Sequence, residues 1–130
     1  MAKIAIVDDD ESIALAIKDF LENEGFEAWH ALDLNQFFAL IRDNRPDLVI
    51  MDIQMPGGSG VTAIKNLQKS TDLAAIPVIT LSAMPLAMQK QWLTGSPTTV
   101  RYMEKPMDLK SLLKEIKELL SEGGQGSGKD

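Results

Sequence analysis

Short, continuous apolar runs alternate along this chain with longer stretches whose apolar residues recur every three or four positions. Lys3 to Val7 holds Ile4, Ala5, Ile6 and Val7 in a row, the mark of a strand buried on both faces. Ile13, Ile17, Phe20 and Leu21 then repeat at helical spacing, and Gly25 supplies the stop. Phe26 to Ala31 reads as a second, less apolar strand nearer an edge. Asp33 followed by Gln36 has the pattern of a capping box, opening a helix with Leu34, Phe37, Phe38 and Ile41 on one face. Pro46 ends that helix, and Leu48 to Met51 is a third strand.

A glycine-rich loop, Gln54 to Gly60, leads into a helix carrying Val61, Ile64 and Leu67. Pro77 to Leu81 is a fourth strand, and Met84 to Gly95 is expected to be helical with Pro85 in its first turn. Val100 to Met103 is a fifth strand. Asp108 then caps a helix whose Leu109, Leu112, Leu113, Ile116 and Leu120 face the core. Five strands alternating with five helices predict an α/β fold: a parallel sheet covered on both faces, with right-handed crossovers. Gly123 to Asp130 is rich in glycine and serine, so the expected division is a domain over 1–121 and a flexible tail or linker over 122–130.

Composition narrows the partners. The chain has 130 residues, enough for one domain with a real core. A formal net charge of -6 argues against direct nucleic-acid binding, which needs a basic face. With no cysteine there is no disulfide, thiol nucleophile or thiolate metal site. The first strand starts almost at once, so no signal peptide is expected. The most apolar stretch, Ala74 to Met88, is broken by Pro77 and Pro85 and is too short to span a bilayer. A soluble, cytoplasmic domain with no membrane partner is expected.

The chemistry lies at the strand ends. Asp8, Asp9 and Asp10 close the first apolar run, and Asp52 closes the third. In a parallel sheet those tips share the carboxyl edge, where ligands of open α/β folds bind. Carboxylates about 4 Å apart repel by roughly 4 kcal/mol per pair at an effective dielectric near 20. A raised pKa or a bound cation relieves this, and a divalent cation is the expectation. Ser82 and Lys105 fall on the same edge, after strands four and five.

Taken together, the acidic cluster, the loop Asp52-Ile53-Gln54-Met55-Pro56-Gly57-Gly58-Ser59-Gly60, Ser82-Ala83 and Lys105-Pro106 resemble the receiver domain of two-component response regulators, over residues 3 to about 121. The resemblance implies a flavodoxin-like doubly wound sheet with strand order 2-1-3-4-5. It implies Asp52 as phosphoacceptor, with Mg2+ (or Mn2+) held by Asp8, Asp9, Asp52 and the backbone carbonyl of Gln54. It implies phosphoryl contacts from Ser82, Ala83 and Lys105, a switch through Ser82 and Tyr102, and a cis bond between Lys105 and Pro106, where the trans preference is only about 0.5–1 kcal/mol. The implied partners are a sensor histidine kinase or phosphotransfer protein and an effector not identifiable from the chain. Receivers are signalling phosphoacceptors rather than enzymes.

The residues support that chemistry without the name. A carboxylate can attack a phosphoryl group to form an acyl phosphate. The chain has no G-x-x-x-x-G-K loop for a nucleotide, so the donor is external. Two other functions start from the same features. One is a phosphorylation-independent pseudo-receiver that only binds protein. The other is a haloacid-dehalogenase-like phosphatase with Asp8 as nucleophile and Asp10 as general acid. Blander roles suit other residues: Asp10 and Glu11 as first-turn acids, His30 as an edge-strand residue, and Met51, Met55, Met84, Met103 and Met107 as space fillers. The stretch Gly95-Ser96-Pro97-Thr98-Thr99 departs from the Gly-Ala turn usual before the last strand of receivers.

Overall fold

The computed structural model describes residues 2–55, 58–69, 73–92, 100–105 and 108–125. Five strands, β1 (Lys3–Val7), β2 (Glu27–Ala31), β3 (Leu48–Met51), β4 (Val78–Ser82) and β5 (Val100–Glu104), form one sheet. Their order is β2-β1-β3-β4-β5 and every pairing is parallel, as expected. The helices are α1 (Glu11–Asn23), α2 (Leu34–Asp43), α3 (Gly60–Gln68), α4 (Leu86–Trp92) and α5 (Leu109–Gln125). A short 3-10 turn, Leu73–Ala75, precedes β4.

Alternate residues of each strand serve opposite layers. Ile4, Ile6, Ile50 and Ile79 pack with Ile17 and Leu21 of α1 and with Leu112 and Ile116 of α5. Ala5, Val7, Val49, Met51 and Val78 pack with Phe37 of α2 and with Ala63, Ile64 and Leu67 of α3. Both faces are therefore dry, which is why the strands read as unbroken apolar runs rather than alternating ones. Among the described residues no helix is long and apolar enough to cross a membrane.

Aspartates cap α1, α2 and α5, at Asp33 and Asp108 as expected and at Asp10, which was expected in the first turn. Asp10 accepts a hydrogen bond from the Ile13 amide at the start of α1. At the other end, Gly25 takes φ +95°, the Phe26 amide bonds the Leu21 carbonyl and the Gly25 amide bonds that of Glu22. That is a Schellman ending, and it explains the glycine. At α2, Asp33 accepts from the Gln36 amide, but the Gln36 side chain reaches past the cap to accept from the Leu32 amide. The capping box is thus displaced by one residue at its return bond. Asp108 accepts from the Ser111 amide and hydroxyl, as a cap for α5.

The second, fourth and fifth strands shift by one residue at one or both ends, and two helix boundaries differ from expectation. Helix α4 starts at Leu86 rather than Met84, because the Met84 amide is engaged by Ser82 and Pro85 provides the first helical carbonyl, accepting from the Met88 and Gln89 amides. Its expected extension to Gly95 and the unusual 95–99 stretch lie outside the described residues. Helix α5 runs to Gln125, so residues 122–125, expected in the tail, continue the helix. The remainder of that tail lies outside the described residues.

Candidate functional site

Parallel strands end on the same side, so the residues just beyond Val7, Met51, Ser82 and Glu104 are brought to one edge. Backbone hydrogen bonds carry the ladder one step further and hold them there. The Asp8 amide donates to the Ala31 carbonyl at 3.1 Å, the Asp52 amide to the Val7 carbonyl at 2.9 Å, and the Lys105 amide to the Ser82 carbonyl at 2.8 Å. Asp8 and Asp52 are buried, at 2% and 6% exposure, while Asp9 faces solvent. One carboxylate oxygen from each of these three lies within 4.8 Å of the others.

Lys105 answers part of that charge. Its ammonium lies 2.7 Å from Asp8 Oδ2 and 3.3 Å from Asp52 Oδ2. The other Asp8 oxygen accepts the Asp10 amide at 2.9 Å. Burial alone would lower the Lys105 pKa, but hydrogen bonds and charge from Asp8 and Asp52 outweigh it and raise the pKa above the ordinary lysine value. Lys105 is therefore a permanent cation here. Three carboxylates against one ammonium still leave the cluster anionic, and the donors are all hard oxygens, the set that suits magnesium. These residues fit such an ion.

Ser82, the last residue of β4, is fully buried, and its Oγ accepts the Met84 amide at 3.2 Å. Ala83 is exposed. Tyr102 is half-buried on β5, opposite Thr80 in the ladder, and burial raises its phenol pKa. Gln54 opens a two-residue antiparallel ladder with Ser59, two residues past Asp52. The expected cis bond ends at Pro106, outside the described residues. Asp10 is a helix cap, and its Oδ1 is occupied by the Ile13 amide.

Residues 4–117 match the family described as "Response regulator receiver domain". The chain belongs to that family, a signalling module rather than a true enzyme. It is 37% identical to Protein PilH of Pseudomonas aeruginosa over 122 residues, covering 93% of this chain and 99% of that one. The polar-differentiation response regulator DivK of Brucella anthropi is 29% identical, with 92% and 96% covered. Among solved structures, the chemotaxis protein CheY4 of Vibrio cholerae superposes with a TM-score of 0.84 at 27% identity, covering 92% of this chain and 98% of that one.

Some polar residues near the site were not singled out from sequence. Gln89 of α4 is fully buried, accepts from the Thr80 hydroxyl at 2.6 Å, and donates to the carbonyls of Met84 at 2.7 Å and Met103 at 3.2 Å. Glu104 accepts the Leu86 amide and so caps α4 from the end of β5. Thr80 carried a usable signal. A single hydroxyl inside the apolar run Val78-Ile79-Thr80-Leu81 must find a partner when the strand is buried on both faces. Gln89 carried none, since periodicity alone does not distinguish it from a solvent-facing glutamine.

Proposed function

We propose that this receiver domain accepts a phosphoryl group on Asp52 from a phosphohistidine of a sensor kinase or phosphotransfer protein. One observation carries the reading: oxygens of Asp8, Asp9 and Asp52 converge within 4.8 Å while Lys105 already compensates two of those acids. Separations of that size cost roughly 3–4 kcal/mol per pair at an effective dielectric near 20, a cost the chain tolerates for a site but has no reason to build otherwise.

In the transfer, a carboxylate oxygen of Asp52 forms the new O–P bond as the donor's P–N bond breaks, and the imidazole leaves with the electron pair. Lys105 balances charge on the arriving phosphoryl oxygens, and the Ser82 hydroxyl donates to one of them. Asp8 and Asp9, with Asp52 and the Gln54 carbonyl, are the residues that would hold Mg2+ or Mn2+; that ion would offset the repulsion between an anionic nucleophile and an anionic phosphoryl group. Ala83, an exposed residue beside Ser82, is suited to a further phosphoryl contact.

Two charge-assisted hydrogen bonds to the phosphoryl group supply roughly 3–6 kcal/mol, close to the ~5.5 kcal/mol needed to take a population from 1:99 to 99:1. Ser82 and Tyr102 are the moving parts, and the outcome is a shifted population that a protein partner or effector reads. An intracellular, cytoplasmic setting follows from this role. The test is intact mass after incubation with acetyl phosphate and Mg2+. The wild-type chain gains one phosphoryl group, and chelator or Asp52→Asn abolishes the gain. Phosphorylation that persists in Asp52→Asn would refute the assignment.

A further inference from the structure

Thr80, Ser82 and Tyr102 occupy one face of the sheet, because Thr80 and Ser82 are two apart on β4 and Thr80 pairs directly with Tyr102 on β5. The α4 side chain buried on that face is Gln89. Its amide is anchored three ways, to the Thr80 hydroxyl, the Met84 carbonyl and the Met103 carbonyl. Met84 is therefore gripped through the peptide groups on both sides of its Cα: its carbonyl accepts from Gln89 Nε2 at 2.7 Å and its N–H donates to Ser82 Oγ at 3.2 Å.

A serine oxygen that accepts one hydrogen bond keeps its own proton free to donate elsewhere. The Met84 N–H thus orients the Ser82 hydroxyl, and Gln89 holds Met84 where it can do so. We propose that Gln89 is a positioning residue for Ser82, acting through the backbone of Met84, so that the hydroxyl is preset to donate to a phosphoryl oxygen on Asp52. This rests on the reading of Asp52 as phosphoacceptor, and it extends that site to a side chain on α4 that touches neither metal nor phosphoryl group. Thr80 is the anchor that keeps the carboxamide in its orientation, with oxygen toward β4 and nitrogen toward the Met84 and Met103 carbonyls.

The experiment is a double-mutant cycle on the rate of phosphorylation by acetyl phosphate with Mg2+, joined to amide hydrogen exchange in the unphosphorylated chain. Gln89→Leu is expected to slow phosphorylation about three- to tenfold, the range a single hydrogen bond commands. In a Ser82→Ala background the same substitution is expected to change the rate less than twofold, and Mg2+ affinity is expected to be equal in all four proteins. Exchange at the Met84 amide is expected to rise about tenfold in Gln89→Leu. Thr80→Val removes one anchor of three and gives a smaller effect of the same pattern, and Thr80→Ser restores the wild-type rate; this pair serves where Gln89→Leu does not fold. Slowing that persists undiminished in Ser82→Ala, or unchanged Met84 exchange, overturns the proposal. A wild-type chain that takes no phosphoryl group instead refutes the role of Asp52, while the exchange measurement still decides the link from Gln89 to Met84.

Discussion

Lys105 and Asp8 stand 97 positions apart in the chain and 2.7 Å apart in the fold, ammonium to carboxylate. The same ammonium reaches Asp52 at 3.3 Å, so one lysine places its positive charge against two of the three acids that could hold a metal ion. Lys105→Ala is therefore expected to act in two opposite directions. Without metal it removes the ammonium that faces two buried carboxylates, and stability falls by about 2–4 kcal/mol. Mg2+ binding is expected to tighten, by about three- to tenfold, because a competing positive charge is gone. Chemical denaturation in chelator and Mg2+ titration measure the two separately; weaker Mg2+ binding would contradict this account of competition.

Asp9 differs from Asp8 and Asp52 in facing solvent. Asp9→Asn is expected to leave metal-free stability within about 0.5 kcal/mol, as surface substitutions usually do. Its Mg2+ affinity should fall by about tenfold or more, and the thermal stabilisation by a fixed Mg2+ concentration should shrink with it. A melting temperature that drops in chelator would instead assign Asp9 a structural role.

The cap of α5 makes a pH prediction. Backbone and side-chain hydrogen bonds from Ser111 lower the Asp108 pKa below the ordinary aspartate value. A depressed folded pKa means that the cap's contribution is fully present above the unfolded value of ~3.9 and is lost as pH falls through the lower folded value. The melting temperature of Asp108→Ala should thus lie below wild type at neutral pH, and the gap should narrow in acid. A gap that is constant with pH would show that the ionised carboxylate is not what stabilises the helix.

Arg101 ties β5 to α5 through Glu115 at 2.7 Å and Glu118 at 3.0 Å, with all three side chains roughly one-third to two-fifths exposed. Solvent screens such pairs, so Arg101→Met is expected to cost only about 0.5–1 kcal/mol. The difference should diminish in about 1 M salt, where the Debye length is ~3 Å. Urea midpoints at two salt concentrations measure it, and a salt-independent loss would point to packing of the arginine stem instead.

Local pattern was enough to determine the α/β class, the five sheet strands and the acids at their tips, because all three are set by neighbours within a few residues. An unbroken apolar run such as Ile4-Ala5-Ile6-Val7 has one economical use, and Gly25 ends α1 by a conformation few other residues adopt. The bonds that finish the site are not of that kind. That Lys105 compensates Asp8 and Asp52 depends on strands far apart in sequence lying side by side, and that Gln89 lies inward on Thr80 and the Met103 carbonyl depends on how α4 packs against β4 and β5. Only the tertiary structure decided them, since a polar side chain acquires its partner when burial removes water and leaves it one geometry to satisfy.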